Sequence, residues 1–203
     1  MTSIKSKNVI KLKSFFCKYF GINNIKRNKI ENNEFYEFVE TKLFNDLYKK
    51  IFSEIIKKLN LNPRKVCIQS SPTFRKYMPN YHGTSFHNDY LYGHGINTRT
   101  VWVPLFGLNS LNSIYFLKKS FTNNFSEKEL GLGYTKKLEN ELIKKSNVLL
   151  LKKDELIIFD SKTIHGSPKN LSNKTRYSLD FRISYYQDKT SSKKLYNYLF
   201  FIN

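Results

Sequence analysis

The stretch TIHGSPKNLSNKTRYSLDFRIS, residues 163–184, decides how the rest of this chain is interpreted. From residue 176 onward polar and apolar residues alternate, which predicts a β-strand with one polar and one apolar face. Arg176 and Ser178 fall on the polar face. His165 follows an apolar run and stands beside a Gly and a Pro, as is typical of a strand end or turn. We therefore expect Arg176 and Ser178 to look into the same cavity as His165.

Upstream, His87, Asn88 and Asp89 form a His-x-Asp motif. Residues two apart on an extended strand point to the same face, so His87 and Asp89 would share a side and Asn88 would point away. Two neutral imidazoles and one carboxylate suit Fe(II) and leave coordination positions open. Arg176, just past the second His, offers a planar, permanently charged partner for a carboxylate. The sequence thus predicts a metal site with a dicarboxylate anchor beside it.

The arrangement His87-x-Asp89, His165 and Arg176-x-Ser178 resembles that of the Fe(II)/2-oxoglutarate-dependent oxygenases, whose fold is a double-stranded β-helix, or jelly roll. The segments KVCIQSSPTFRKYMP and SFHNDYLYGHGINTRTVWVPLFGLNSLNSIYFL are similar to the phytanoyl-CoA-dioxygenase-like branch. Within it they resemble oxygenases of antibiotic and carbohydrate biosynthesis clusters, including the streptomycin-cluster type. The resemblance covers roughly residues 64–187.

The resemblance implies Fe(II) held by His87, Asp89 and His165, with 2-oxoglutarate and O2 as cosubstrates. Arg176 would pair with the far carboxylate of 2-oxoglutarate, and Ser178 would add a hydrogen bond. Related halogenases lack the carboxylate that Asp89 supplies, so its presence implies hydroxylation or another oxygen-derived oxidation. Further cosubstrate contacts fall, by matching motif regions, on Gln69, Trp102 and Asn112.

The expected prime substrate is a small polar metabolite: a sugar, aminocyclitol, amino acid or nucleotide-linked intermediate. Residues that flank the His-x-Asp motif are the candidates for contacting it, and they are Arg75, Tyr77, Tyr90, Tyr92 and His94.

The chain of 203 residues is expected to form a single domain, mainly β with flanking α-helices. Residues 1–62 form its mostly helical N-terminal part, residues 64–187 the jelly-roll core and residues 188–203 a C-terminal segment. Apolar residues at three- and four-residue steps predict one amphipathic helix over residues 33–60. A helical insertion at about residues 126–146 is interpreted as a lid. Short strands are predicted at residues 66–70, 73–77, 99–106, 113–117, 148–151, 156–159 and 176–186.

The composition is strongly basic, with 35 Lys and Arg against 16 Asp and Glu and a formal net charge of +19. Such an excess would ordinarily suggest a polyanionic partner. The excess is nearly all Lys, spread over the whole chain, and it accompanies many Asn, Ile, Phe and Tyr residues. An AT-rich genome imposes that joint bias whatever the function. An acidic substrate remains the alternative explanation, and a nucleic-acid partner is not expected.

Cys17 and Cys67 fit neither a metal-binding pair nor a disulfide framework, and we expect reduced thiols in a cytoplasmic protein. No residue run reaches the length of a membrane span. The first twenty residues lack the uninterrupted apolar stretch and cleavage site of a secretory signal.

Two other functions fit part of the pattern. Arg176 and Arg182, six residues apart, resemble the closing motif of nucleic-acid dealkylating oxygenases, but the interval from His165 to Arg176 is shorter than expected there. Salt-dependent oligonucleotide binding would discriminate this alternative. The second is a non-oxidative, metal-binding cupin-like protein, which would have no need of an anchor at Arg176.

Overall fold

The computed structural model describes residues 1–22, 30–130, 134–188, 190–192 and 199–200. Its strands are β1 (Thr2–Lys5), β2 (Val66–Gln69), β3 (Thr73–Tyr77), β4 (Arg99–Phe106), β5 (Tyr115–Leu117), β6 (Ser146–Val148), β7 (Glu155–Asp160), β8 (His165–Gly166), β9 (Arg176–Tyr185) and β10 (Leu199–Phe200). Its α-helices are α1 (Lys7–Tyr19), α2 (Asn32–Glu40), α3 (Lys42–Lys58), α4 (Glu127–Leu130) and α5 (Lys136–Lys144). Short 3-10 helices occupy Pro63–Lys65, Asp89–Tyr92 and Lys119–Asn124.

In the part of the chain that the structure describes, the strands form two sheets in which every pairing is antiparallel. The larger sheet has the order β1-β7-β4-β9-β2-β10, and β3 pairs with β9 as well. The smaller sheet has the order β6-β5-β8. The expectation of β-sheets with flanking α-helices is thus confirmed, and the structure adds that the sheets are antiparallel.

The larger sheet has one apolar and one mixed face, as the alternation of β9 predicts. Tyr177, Leu179 and Phe181 of β9 join a core with residues of α1, α2 and α3. On the other face, Trp102 and Phe159 of the larger sheet pack with Phe116 of β5. The space between the two sheets therefore receives the polar residues of β9.

The single helix predicted over residues 33–60 is wrong, because two helices meet at Thr41. The backbone of Thr41 is extended, with φ −62° and ψ 141°. Its hydroxyl accepts a hydrogen bond from the Phe44 amide at 3.3 Å and donates one to the Phe38 carbonyl at 2.7 Å. A Thr in this position satisfies the free ends of both helices, which periodicity alone does not reveal.

The other predicted elements differ mainly at their ends. The predictions for β3 and β4 are confirmed to the residue, whereas β6 covers Ser146–Val148 and not residues 148–151. The N-terminal part begins with β1, which pairs with β7. The insertion contains α4 and α5, and residues 131–133 of it lie outside the described residues, as do 189, 193–198 and 201–203 of the C-terminal segment. Among the described helices, none combines the length and apolar character that a membrane span requires.

Candidate active site

His87, Asp89 and His165 come together as one buried cluster. One ligand atom from each residue lies within 4.8 Å of the other two. His87 Nε2 is 3.6 Å from Asp89 Oδ1, and the two imidazole centroids are 4.4 Å apart. Two imidazoles and a carboxylate at this spacing are a donor set for a first-row divalent metal with open positions. The cluster fits an Fe(II) site.

Backbone pairing brings the two histidines together. The amide of His87 donates to the carbonyl of His165 and the amide of His165 to that of His87, each at 2.9 Å. This isolated bridge joins the His87 segment to β8, which belongs to the smaller sheet. Backbone hydrogen bonding therefore holds the two histidines side by side, although they are far apart in sequence.

The His-x-Asp pattern predicted that Asp89 lies on a strand, and this prediction is wrong. Asp89 opens a 3-10 turn, because the Asn88 side chain accepts a hydrogen bond from the Leu91 amide at 3.0 Å and caps that turn. The backbone of Asn88 itself remains extended, with φ −116° and ψ 150°. Because the residue between them is extended, the side chains of His87 and Asp89 still point to the same side, as the sequence predicted.

Each histidine offers Nε2 to the cluster. Nδ1 of His87 lies 2.7 Å from the Ser85 carbonyl, and Nδ1 of His165 lies 2.9 Å from the Thr163 carbonyl. A carbonyl only accepts, so each Nδ1 carries the proton and Nε2 keeps its lone pair. Burial and the neighbouring His87 lower the pKa of His165 to about 4. His165 is thus a neutral ligand at neutral pH.

The carboxylate of Asp89 is held on both oxygens. Thr100 Oγ1 donates to Oδ2, and Arg182 Nη2 donates to Oδ1 at 3.2 Å. Burial alone would raise the pKa of Asp89, but the Arg182 charge and the hydrogen bond from Thr100 bring it far below its ordinary value. Asp89 is therefore ionised and oriented.

Arg176 lies in the same cavity with donors to spare. It is 3 % exposed, and its Nη1 donates to the Asn112 carbonyl at 2.6 Å. Its guanidinium sits over the rings of Tyr77 and Trp102, at 4.6 and 5.3 Å from their centroids. Burial lowers the pKa of Arg176 to about 10, which leaves it charged at neutral pH. Among the described residues, neither Arg176 Nε nor the hydroxyl of Ser178 has a hydrogen-bond partner.

The cavity joins the histidines to Arg176. Its lining consists of Arg75, Thr84, His87, Thr100, Trp102, Ile114, Phe159, His165, Gly166, Ser167, Arg176, Asp180 and Arg182. Five of the residues predicted from sequence are therefore part of one surface: His87, His165, Arg176, Trp102 and Arg75.

The other predicted contacts lie around this surface. Gln69 donates to Ser71 O at 2.7 Å, and the side-chain amide of Asn112 donates to the Gly107 carbonyl at 2.9 Å, so both are engaged in loop structure. Tyr77 lies beneath Arg176, and burial raises its pKa to about 12.

Three predicted substrate contacts follow Asp89 along the chain. His94 is buried, and its amide donates to the Asp89 carbonyl at 3.4 Å. The Tyr90 ring faces the Lys162 ammonium at 5.5 Å. Tyr92 is exposed, with its ring edge-on to that of His87 at 5.0 Å.

Sequence reasoning assigned no role at the metal ligands to three cavity residues, Thr100, Asp180 and Arg182. Thr100 and Arg182 contact Asp89, and Asp180 pairs with both Arg75 and Arg182. Asp180 and Arg182 share a face of β9 with Arg176, so the alternation of this strand was a usable signal. Thr100 carried no such signal, because only the packing of β4 brings it to Asp89.

No protein-family model matches the sequence, and no curated protein matches it. The fold, however, is shared with non-heme oxygenases among solved structures. The apo form of the non-heme monooxygenase ThoJ is similar with a TM-score of 0.60 and 10 % identity, over 92 % of this chain and 74 % of that one. Its nickel complex gives a TM-score of 0.55 at 10 % identity over the same shares. EvdO2 from Micromonospora carbonacea var. aurantiaca, complexed with 2-oxoglutarate, gives 0.53 at 13 % identity, over 87 % of this chain and 81 % of that one.

Proposed function

We propose that this protein is an Fe(II)- and 2-oxoglutarate-dependent dioxygenase that oxidises a small polar metabolite, with His87, Asp89 and His165 as the iron ligands. Arg176 and Ser178 hold the far carboxylate of 2-oxoglutarate. Within this proposal the two sheets form the jelly roll of the phytanoyl-CoA-dioxygenase-like branch. The similar fold of EvdO2, which is complexed with 2-oxoglutarate, supports the choice of cosubstrate.

One observation carries the proposal: Arg176 lines the same cavity as His87 and His165, and its buried Nε has no hydrogen-bond partner among the described residues. Leaving a buried polar group unpaired costs about 1–3 kcal/mol. Arg176 Nε and Ser178 Oγ are both in that state, on neighbouring positions of one strand face. A carboxylate accepts from both, and its pairing with a guanidinium is charge-assisted. A metal-binding protein without 2-oxoglutarate would gain nothing from this arrangement.

The residues of the chain prepare the site for the reaction. When bound, Fe(II) and 2-oxoglutarate supply the oxidising chemistry, in which O2 is consumed and succinate and CO2 are released. Asp89 is kept ionised by Arg182 and Thr100, His165 is kept neutral by burial, and both histidines are oriented through Nδ1 so that Nε2 points to the cluster. Phe159 and Ile114 line the cavity and exclude water from it.

The carboxylate of Asp89 supports oxygen transfer over halogenation. A halide needs the position that this side chain fills, and Asp89 is 1 % exposed and tied to two donors. We therefore propose hydroxylation or a related oxidation. The substrate class remains the one given above, a sugar, aminocyclitol, amino acid or nucleotide-linked intermediate, and the cytoplasmic location stays a prediction.

Binding of 2-oxoglutarate to the iron-loaded protein without O2 tests the role of Arg176. Isothermal titration of the wild type should show one site, and Arg176→Lys should weaken it about tenfold or more, because the bidentate geometry is lost. Arg99→Gln is the matched control: Arg99 also starts a strand of the larger sheet, but it pairs with Asp160. Equal affinity in Arg176→Lys and wild type would remove Arg176 from the cosubstrate site.

A further inference from the structure

Arg75 stands at the rim of the active-site cavity. It lies on β3 opposite Ser178 of β9, one strand away from the deep Arg176. It lines the cavity, yet its side chain is 42 % exposed, whereas that of Asp180 beside it is 8 % exposed. Arg75 thus reaches both the cavity and the solvent.

Most of the hydrogen-bonding capacity of Arg75 is unused. Its Nε donates to Asp180 Oδ2 at 2.9 Å. Neither Nη group has a hydrogen-bond partner in the part of the chain that the structure describes. A guanidinium carries five N–H donors in a fixed fork, so four remain. Asp180 fixes this fork from one side and leaves its outer edge available to an oxyanion.

The other two guanidiniums of the cavity have different surroundings. Arg182 is buried and donates to both Asp180 and Asp89, which places it behind the metal ligand. Arg176 is buried, with its guanidinium over the rings of Tyr77 and Trp102. Arg75 is the accessible one of the three.

The formal charges of the side chains at the site sum to +1. Arg75, Arg176 and Arg182 face two carboxylates, Asp89 and Asp180, and the remaining lining residues carry no formal charge once the imidazoles are neutral. Bound Fe(II) and the 2-oxoglutarate dianion cancel each other. The loaded site therefore carries a net positive charge at its accessible rim, which attracts a ligand that brings a negative charge.

We propose that Arg75 anchors the prime substrate, and that this substrate carries a carboxylate or a phosphate that pairs with the Nη edge of Arg75. This inference rests on the proposed function and narrows it: neutral sugars and free aminocyclitols are excluded, whereas amino acids and phosphorylated or nucleotide-linked compounds remain. Asp180 is a positioning residue that holds the fork.

Paramagnetic relaxation tests this placement without turnover. The protein is loaded with Mn(II) and saturating 2-oxoglutarate, and relaxation of the ³¹P signal of inorganic phosphate is measured. The ¹³C signal of labelled acetate serves as the carboxylate probe. Phosphate on distant lysines contributes little, because the effect of Mn(II) falls steeply with distance. Titration of each probe gives its dissociation constant, and the probe with the lower constant identifies the preferred oxyanion.

The wild type should relax at least one probe, and Arg75→Gln should weaken its binding about tenfold, as expected for a lost charge-assisted hydrogen bond. Arg99→Gln should bind as the wild type does. Equal relaxation in Arg75→Gln and wild type, or none in the wild type, would overturn the inference while leaving the proposed function intact.

A loss of 2-oxoglutarate affinity in Arg75→Gln equal to that in Arg176→Lys would also overturn it, since Arg75 would then belong to the cosubstrate site. Absence of any 2-oxoglutarate binding by the wild type would remove the proposed function and this inference together.

Discussion

Asp89 shows how single residues prepare the proposed metal site. Its two oxygens are fixed by Thr100 and Arg182, and its neighbour His87 is fixed through Nδ1. Partners of metal ligands commonly change metal affinity by 10–100-fold, although they do not touch the metal. The donors to Asp89 are therefore expected to matter nearly as much as the ligands.

Thr100→Val removes one donor to Asp89 and keeps the shape of the side chain. We expect Mn(II) or Fe(II) affinity to fall about 10–100-fold, because Asp89 loses its fixed orientation. Titration of the metal-free protein measures the affinity. Thr98→Val is the control, since the Thr98 hydroxyl is equally buried but bonds to Ser184 at 2.9 Å. Equal metal affinity in Thr100→Val and Thr98→Val would contradict the assignment.

The lowered pKa of His165 predicts how the metal-free protein responds to acid. The unfolded chain protonates this imidazole near pH 6.5, whereas the folded chain does so only near its pKa of about 4. Stability is therefore full above about pH 6.5 and is lost as pH falls towards 4, by up to about 3 kcal/mol from this residue. Urea unfolding of wild type and His165→Gln at several pH values measures it. An identical pH dependence in the two proteins would contradict the prediction.

At the scale of elements, β9 organises the molecule. One face of this strand supplies Tyr177, Leu179 and Phe181 to the helical core, and the other supplies Arg176, Asp180 and Arg182 to the cavity. The strand pairs with β4 on one side and with β2 and β3 on the other. The positions of the cavity residues on β9 are therefore fixed by strand pairing in the middle of the larger sheet.

The insertion is a second element that supports the site. Leu142 of α5 is fully buried in a small cluster with Phe86 and Ile164, each of which precedes a histidine of the metal cluster. The Phe86 amide also donates to the Tyr134 hydroxyl at 3.2 Å. The insertion thus packs on the two segments that carry the histidines. Among its described residues none lines the cavity, and its interpretation as a lid stays a prediction.

Leu142→Ala should destabilise the protein by about 2–5 kcal/mol, the usual cost of removing a fully buried leucine. Metal affinity should fall with it, because the His87 and His165 segments lose a common support. Thermal unfolding and metal titration measure the two effects. Leu150→Ala is the control, because Leu150 is exposed and should change neither. Full stability in Leu142→Ala would show that α5 is not packed as described.

Local pattern predicted much of this structure, and contacts between distant segments account for what it missed. The faces of β9 follow from alternation, and β3 and β4 follow from composition and flanking turns. The break at Thr41 was missed because an amphipathic pattern continues through it. The hydrogen bond from Arg182 to Asp89 was missed because these residues are 93 positions apart. Such pairs form only when the sheet assembles.

At the scale of the whole molecule, the site lies between layers. Helices α1, α2 and α3 cover one face of the larger sheet, and the smaller sheet packs on the other through Phe116. The net charge of +19 belongs to the whole chain, whereas the described residues that line the cavity include three arginines and no lysine. The chemistry proposed here therefore depends on the few charges inside the molecule.

Conversion of 2-oxoglutarate to succinate tests directly whether the protein is an Fe(II)- and 2-oxoglutarate-dependent dioxygenase. With Fe(II), ascorbate and air, the wild type should convert 2-oxoglutarate to equal amounts of succinate and CO2, slowly when no prime substrate is present. His87→Ala should fall to the protein-free background, because the metal loses a ligand. His82→Ala, which alters an exposed histidine paired with Glu139, should retain the wild-type rate. The proposed function would be contradicted if the wild type neither bound 2-oxoglutarate nor produced succinate. It would also be contradicted if His87→Ala produced succinate at the wild-type rate.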